Sequence, residues 1–380
     1  MFFLIRPVGF NCQAKCHYCY YKSFGIDVKK NYRMNIQLME SLIDDLANLP
    51  NKSHTFCLHG GEPLLIGKHW FKKFLGLISE FTARQSDISL HVAVQTNGLV
   101  IDDEWVSLFY EGGVGISISV DGPEIVHDSC RIFNSGIGTH NKVINNINLM
   151  AKNGIPIGAI AVLTSKTLAI PPHDFFSYFQ NLPLKNGLDI TPYIETGSSV
   201  IEQEAMKNFE ANPEKLTLYL KELFDLWLFQ PDGENRLEIR MFEQLVGILL
   251  GFMPTLCSLT KGASCGRTPS ILPNGDVIAC DLDFTRATFR LGSLKSDPIS
   301  VICSPDRLDN VQFAVVNSYE KRGCTHCSVV SYCGLTCPRH TFSDRDMSGY
   351  CRLMNSLVNH AKQRLNTVSK QVFSKEVELY

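Results

Sequence analysis

Three cysteines stand in the stretch NCQAKCHYCYY, as Cys12, Cys16 and Cys19, at the spacing C-x3-C-x2-C. Thiolates are soft, strong ligands for iron and zinc, and three on one short loop point at something shared. On a four-iron cube they would hold three irons and leave the fourth without a protein ligand, open to a small molecule. The C-x2-C part alone is equally half of a zinc site. A second gathering lies far downstream. CGRTPSILPNGDVIAC, from Cys265 to Cys280, fits C-x9-G-x4-C. CTHCSVVSYCGLTC places Cys324, Cys327, Cys333 and Cys337 at C-x2-C-x5-C-x3-C, with Cys257 before the group and Cys351 after it. Of the 14 cysteines, Cys57, Cys130 and Cys303 fall outside both groups and read as ordinary small thiols. A chain without a signal peptide is a poor place for disulfides, so ligation is the better use of so many thiols.

The remaining composition bounds the class. The chain has 380 residues, a formal net charge of −2 and 44% hydrophobic residues. That is enough apolar material for one large domain plus a smaller unit. The near-neutral balance points to neither nucleic acid nor an acidic membrane surface as a partner, and no apolar run has membrane-spanning length. The opening MFFLIRPVGF is interrupted by Pro7 and Gly9, so it reads as a buried first strand and not as a signal peptide. A cytoplasmic location, where thiols stay reduced, is the expectation.

The cysteines need elements to hold them. To about residue 195, short apolar runs alternate with amphipathic stretches. The runs FFLIRPVG, HTFCLHG, LHVAVQTNG, VGISISVDG, IPIGAIAVLT and LDITPYIE are rich in β-branched and aromatic residues, as buried strands are. Helical periodicity covers 36–48, 68–84, 102–111, 139–153 and 172–181. Strand and helix alternating six times give a parallel sheet with right-handed crossovers. The expected fold class is therefore α/β, a partial (β/α)6 TIM-like barrel with a C-terminal cysteine-rich domain. Barrel chemistry sits at the carboxyl ends of strands, and the cysteine loop, HGGEP, QTNG and SVDGP all fall there. Leu, Phe and Trp at helical spacing over 213–250 read as core stripes. From about 255 helical periodicity fades, as in a small domain held by metal. A last helical pattern covers about 352–370, followed by a polar tail. The expected division is 1–235 for the barrel, 236–254 for a linking helix, 255–355 for the cysteine-rich domain and 356–380 for the C-terminal helix and tail.

In this setting, C-x3-C-x2-C after the first strand of a βα barrel resembles the radical S-adenosylmethionine (SAM) superfamily. The resemblance implies that Cys12, Cys16 and Cys19 hold a [4Fe–4S] cluster whose open iron is chelated by SAM. One electron from the cluster then breaks a carbon–sulfur bond, giving a 5′-deoxyadenosyl radical that takes hydrogen from the substrate. HGGEP at 59–63 is similar to the family's Gly-Gly-Glu-Pro motif. Gly60 and Gly61 would let backbone approach the ligand, and Glu62 would anchor the SAM amino group. SISVDGP resembles the stretch where relatives place a serine, with an arginine twelve residues on, to hold the SAM carboxylate. Here these are Ser119 and Arg131, and an arginine fork suits a carboxylate. By the same resemblance Asn97 of QTNG lies near the ribose and Tyr21 packs on adenine. Each residue also has a plainer reading, because Gly-Gly makes turns and a Ser–Arg spacing arises by chance. Their order along the chain and their place at strand ends carry the likeness.

The second cysteine group resembles the SPASM extension cysteine by cysteine, so the likeness spans about residues 3–355 and makes the C-terminal unit an iron–sulfur domain. It implies two auxiliary [4Fe–4S] clusters. One would use Cys265, Cys280 and Cys337, with Cys257 or an open iron completing it. The other would use Cys324, Cys327, Cys333 and Cys351. A zinc ribbon is the alternative, since clustered cysteines are ordinary zinc ligands. If the product is two electrons more oxidised than the substrate, a second electron must leave after hydrogen abstraction, and an auxiliary cluster would accept it. Asp281 directly follows Cys280, where sulfatase-maturing relatives carry a proposed proton acceptor, and a carboxylate there would take the departing proton. Asp283 is its competitor, and either would also serve as a turn residue.

SPASM enzymes mostly modify peptides or proteins. LHGGEPLL looks like peptide maturases that join an aromatic ring to a nearby side-chain carbon, and the sulfatase-maturing group usually has glutamine where His59 stands. The expectation is therefore a maturase that cross-links a ribosomally made precursor peptide through carbon–carbon bonds, giving a cyclophane. Formylglycine, thioether formation or epimerisation are the alternatives, with a zinc-bound interaction module as the alternative outside enzymes. The reductive step implies a ferredoxin- or flavodoxin-type electron donor. Because Cys12 comes so early, leader recognition is expected on the barrel's own surface or on another protein. Anaerobically purified protein should be brown and carry about eight to twelve irons per chain, the content of two or three four-iron clusters; metal analysis showing a colourless zinc protein would exclude the iron reading.

Overall fold

The computed structural model describes residues 1–19, 21, 33–193, 208–233, 236–259, 265–281, 289–311, 324–333 and 348–377. Its strands are β1 (Phe2–Ile5), β2 (Ala14–Cys16), β3 (Ser53–Leu58), β4 (Ser89–Thr96), β5 (Gly115–Ser119), β6 (Arg131–Phe133), β7 (Ile157–Leu163), β8 (Leu188–Pro192), β9 (Ser270–Ile271), β10 (Asp276–Ile278) and β11 (Arg290–Ser293). Its helices are α1 (Ile36–Asp45), α2 (Lys68–Arg84), α3 (Asp103–Glu111), α4 (Glu124–Cys130), α5 (His140–Lys152), α6 (Pro172–Gln180), α7 (Pro213–Leu228), α8 (Arg240–Leu249), α9 (Ile299–Ile302), α10 (Val330–Cys333) and α11 (Ser348–Val377). The six expected strands are β1, β3, β4, β5, β7 and β8, and the five expected helices are α1, α2, α3, α5 and α6.

The local sequence explains the boundaries. Asn35 caps α1 by accepting from Gln37 N, and Asp102 caps α3 by accepting from Trp105 N. Asn212 caps α7 just before Pro213, which costs nothing at a position whose N–H is unpaired anyway. Each strand of the barrel pairs in parallel with its neighbour, in the order β1-β3-β4-β5-β7-β8. Strands covered on both faces read as continuous apolar runs, and the fully buried Ile157, Ala161 and Leu163 of β7 show why. Outside the sheet, Phe71 and Phe74 of α2 stack into an aromatic layer with Trp105 and Phe109 of α3.

Three features depart from the sequence expectation. The cysteine-rich unit does not stand apart, because β9 pairs in parallel with β1 and carries β10 and β11 with it, making one nine-stranded sheet. A separate two-stranded sheet joins β2 of the cysteine loop to β6, with Cys16 opposite Arg131. Both depend on strands of two or three residues, too short to show a period. Lastly, α11 is one helix over 348–377, so it starts before residue 352, runs past 370, carries Cys351 in its first turn and crosses the expected boundary at 355. Its buried Leu353, Met354, Leu357 and Val358 pack on the stripe of α7. Asp225 of α7 receives His360 Nε2 at 2.7 Å and Arg364 Nε at 2.9 Å, which fixes the pairing.

Between β5 and β6 lies a buried histidine. His127 Nδ1 accepts from Asp121 N at 3.3 Å, so its Nε2–H faces Thr139 Oγ1 at 2.9 Å. Burial lowers its pKa from 6.5 to about 4. The unfolded chain then takes up a proton between pH 6.5 and 4 that the folded protein refuses, so stability falls as pH drops through that window, by up to ~3 kcal/mol. Denaturant titrations of the wild type and His127→Gln at pH 7.5 and 5 should show a smaller acid loss in the variant; equal losses would show that His127 is not the group titrating.

Candidate active site

The site is assembled where two strands end. The loop after β1 carries the cysteines, and the loop after β3 carries His59, Gly60, Gly61 and Glu62. Gly61 N donates to Gly9 O at 2.9 Å and Glu62 N to Asn11 O at 2.7 Å. A Cβ on Gly61 would sit 2.1 Å from Asn11 O, and one on Gly60, at φ +116°, would sit 2.8 Å from Gly9 O. The paired glycines therefore let the two loops lie backbone against backbone.

Glu62 is fully buried. Its Oε1 accepts from Leu64 N at 3.0 Å and Thr96 Oγ1 at 2.8 Å, and its Oε2 from Asn97 N at 2.8 Å. Burial outweighs these donors and raises its pKa to about 7. Asn97 turns its Nδ2 to Cys12 Sγ at 3.4 Å, while its Oδ1 accepts from Gln13 Nε2 and Leu99 N. Gln13 Oε1 is buried and has no hydrogen-bond partner among the described residues.

Arg131 begins β6. Its Nη1 lies 3.8 Å from Cys16 Sγ, and its Nε donates to Asp121 Oδ2 at 2.9 Å. Tyr18, inside the cysteine motif, donates to the same Oδ2 at 2.5 Å, and Val162 N holds Oδ1 at 3.0 Å. Ser119 ends β5 and accepts from Gln95 Nε2 at 3.2 Å; no hydrogen bond joins it to Arg131 among the described residues.

Asp281 is brought to the same end of the barrel from 275 residues beyond Arg6. The Arg6 guanidinium, fully buried, grips its carboxylate through Nε at 2.5 Å and through Nη2. Ser270 Oγ donates to Oδ1 at 3.2 Å and Tyr21 Oη to Oδ2 at 2.7 Å. The Tyr21 ring lies under the Arg6 guanidinium, 4.4 Å from its centroid, with Phe10 edge-on at 5.3 Å. His59 Nδ1 is 3.1 Å from Tyr21 Oη.

The Gly266 N–H bond to Ala279 O sets Cys265 and Cys280 on adjacent backbone. Cys324 and Cys327 lie on one tight turn, Cys333 ends α10, and Cys351 lies on α11, which packs on α10. Cys257 is exposed on a short 3-10 turn. Cys337 and Asp283 lie outside the described residues. Cys57, Cys130 and Cys303 are buried. Among the described residues no three His, Cys, Asp or Glu side chains converge on a single-ion site. A four-iron cube does not require that, because each thiolate binds a different corner.

The residues fit a cluster and SAM. Amide and guanidinium donors aim at the Cys12 and Cys16 sulfurs, as they do at cluster thiolates. Burial, then Glu62, pushes the Cys12 thiol up to about 12, so a metal is what would make it a thiolate. Beside them stand Gln13 Oε1, an acceptor without a partner among the described residues, and a carboxylate that receives three donors from those residues, where it has room for roughly four. Sequence reasoning passed over Arg6, Gln13, Tyr18, Thr96 and Asp121. Arg6 alone left a signal, as a charge at the end of an apolar run.

Comparison with known proteins places this geometry. Residues 7–171 match the Radical SAM superfamily, and residues 265–328 match SPASM, the iron–sulfur cluster-binding domain. The chain is a radical SAM enzyme with a C-terminal SPASM domain, using SAM and [4Fe–4S] clusters. It is 26% identical to the serine-type anaerobic sulfatase-maturating enzyme of Bacteroides thetaiotaomicron, over 99% of this chain and 93% of that one. It is also 26% identical to the cysteine-type enzyme of Clostridium perfringens strain 13, over 97% and 98%. The solved structure of native anSMEcpe with bound AdoMet superposes with a TM-score of 0.83 at 25% identity, over 97% of this chain and 99% of that one. Streptococcus suis SuiB bound to precursor peptide SuiA shares the fold, with a TM-score of 0.60 at 12% identity over 88% and 71%.

The loop docking carries a test. Gly61→Ala should weaken SAM binding, followed by equilibrium dialysis of labelled SAM, by about tenfold or more, since separating the loops costs at least ~1.4 kcal/mol, while far-UV circular dichroism stays near wild type. Unchanged affinity would show that the two backbones need not touch.

Proposed function

We propose that this enzyme performs a two-electron radical oxidation of a side chain in a peptide or protein. The observation that carries the reading is the placement of Asp281, next to Cys280, at the carboxyl ends of β1 and β3. When bound, SAM on its cluster supplies a hydrogen-abstracting radical, and the SPASM clusters supply an electron acceptor. The chain's residues supply the rest. Cys12, Cys16 and Cys19 are the proposed ligands of the SAM cluster. Gly60, Gly61, Glu62, Asn97, Ser119, Arg131 and Tyr21 are the proposed cradle for SAM. Cys257, Cys265, Cys280 and Cys337 would hold one auxiliary cluster, and Cys324, Cys327, Cys333 and Cys351 the other. Asp281, bound to the Tyr21 hydroxyl, is the proposed carboxylate of the group of side chains that takes up the proton leaving with the second electron. A ferredoxin- or flavodoxin-type donor would supply the reducing electron.

Two products fit this chemistry. Formylglycine from a serine or cysteine is favoured by the names and coverage of the sulfatase-maturating relatives. A carbon–carbon cross-link to an aromatic ring in a precursor peptide is the second reading, favoured by His59 at the head of Gly-Gly-Glu-Pro. Incubation with SAM, dithionite and a sulfatase-type cysteine or serine peptide should give a product that reacts with hydroxylamine. A cross-linked product from a precursor peptide would lose two hydrogens, resist hydroxylamine and give no fragment ions from within the ring. Release of deoxyadenosine with no change in either kind of polypeptide would overturn the proposal.

A further inference from the structure

Among the described residues of the network around Asp281, His59 is the most exposed. The Asp281 side chain is 8% exposed and that of Arg6 0%, whereas that of His59 is 24% exposed. His59 directly follows β3 and is held there by its N–H bond to Ile5 O at 2.8 Å. It therefore stands at the carboxyl end of the two central strands, where barrel chemistry sits.

Hydrogen-bond accounting sets its protonation. Asp281 receives Arg6 and Ser270 on Oδ1 and the Tyr21 hydroxyl on Oδ2. A phenol has one proton, and here it points at the carboxylate 2.7 Å away. What Tyr21 offers His59 at 3.1 Å is thus a lone pair, and the ring must bring the proton on Nδ1. The direct approach of His59 Nδ1 to Asp281 Oδ2 is 3.7 Å, too long to compete. A neutral imidazole with Nδ1–H has an unprotonated Nε2, and His59 Nε2 makes no hydrogen bond among the described residues.

We propose that His59 is the catalytic residue that receives the substrate's proton, on Nε2, with Tyr21 and Asp281 as the positioning residues that hold its ring and tautomer. The inference rests on the oxidative reading above and names its proton acceptor: the carboxylate orients and balances the imidazolium, and the histidine meets the substrate. One proton moves to Nε2 as a carbon–hydrogen bond, or the oxygen–hydrogen or sulfur–hydrogen bond of a serine or cysteine side chain, breaks in the radical substrate, and the electron left behind goes to an iron–sulfur cluster. Burial favours the neutral ring that must accept the proton, Asp281 opposes it, and Arg6 supports it. Among the described residues, these two charges and Tyr21 are the ionisable groups recorded against the ring.

The test has a spectroscopic arm and a product arm. In oxidised holoenzyme labelled with [15N]histidine, the signal missing from His59→Gln should show Nδ1 protonated and Nε2 unprotonated at pH 7.5, and Tyr21→Phe should remove that preference. With the cysteine peptide, or with the precursor peptide if that is what the wild type modifies, His59→Gln should keep deoxyadenosine release and the cluster electron paramagnetic resonance spectra. Its product per deoxyadenosine should fall at least tenfold. A wild-type ring carrying its proton on Nε2, or an unchanged product ratio in His59→Gln, overturns the proposal. A wild type that releases deoxyadenosine but modifies neither polypeptide defeats the oxidative reading, while the nitrogen spectra still decide the tautomer.

Discussion

The buried pair of Arg6 and Asp281 is the constraint on which the architecture turns. A guanidinium with no solvent exposure needs a partner, because an uncompensated buried charge costs about 3–5 kcal/mol. Its partner comes from the far domain, carried by the β9–β10 hairpin that pairs with β1. The two contacts are one arrangement. Sheet pairing sets Ser270 beside Leu4, and Ser270 in turn donates to Asp281. The SPASM unit is thus an extension of the barrel sheet, and the residue after Cys280 is fixed by the same strand that launches the cysteine loop.

The cysteine loop is clamped twice by the same chemistry. Tyr18 donates to Asp121, which also binds Arg131, and that guanidinium lies 5.4 Å over the Tyr18 ring. Tyr21 donates to Asp281, which also binds Arg6, and that guanidinium lies 4.4 Å over the Tyr21 ring. Each triad satisfies a carboxylate with a hydroxyl and a guanidinium and adds a cation–π contact. One anchors the loop to β5 and β6, the other to β1 and the SPASM hairpin. A loop holding several metal ligands must keep them in register whether or not the metal is bound, and two rigid, oppositely placed anchors do this better than apolar packing of a short polar segment could.

Legibility followed the physics of each feature. The six barrel strands announced themselves because burial on both faces demands long β-branched runs, as in IPIGAIAVLT. The cysteines were visible because ligand spacing is local. Asp281 was visible only as the neighbour of Cys280, and its pairing with Arg6 was not visible: a buried ion pair spanning 275 residues leaves no periodic trace. The same holds for Asp121, an ordinary-looking turn residue in SVDGP that is fully buried. The paired glycines were legible as a place of close approach, but what approaches is the Asn11 backbone. The joining of the two domains into one sheet rests on a strand of two residues, below the length at which sequence pattern carries information.

Glu62 shows how such a scaffold leaves room for its cofactor. Among the described residues, the other two buried carboxylates at this end of the barrel, Asp121 and Asp281, each have an arginine. Glu62 has only neutral donors among the described residues, and they do not cover the cost of burying its charge, so its pKa climbs to about 7. A cation arriving beside it would tip the balance, since an opposite charge nearby favours the ionised form. SAM carries positive charge on both its ammonium and its sulfonium. Its binding would therefore ionise Glu62, and proton release on binding would accompany affinity near neutral pH. The pocket is thus electrostatically incomplete in one place, and the charge it lacks has the sign that this cofactor brings.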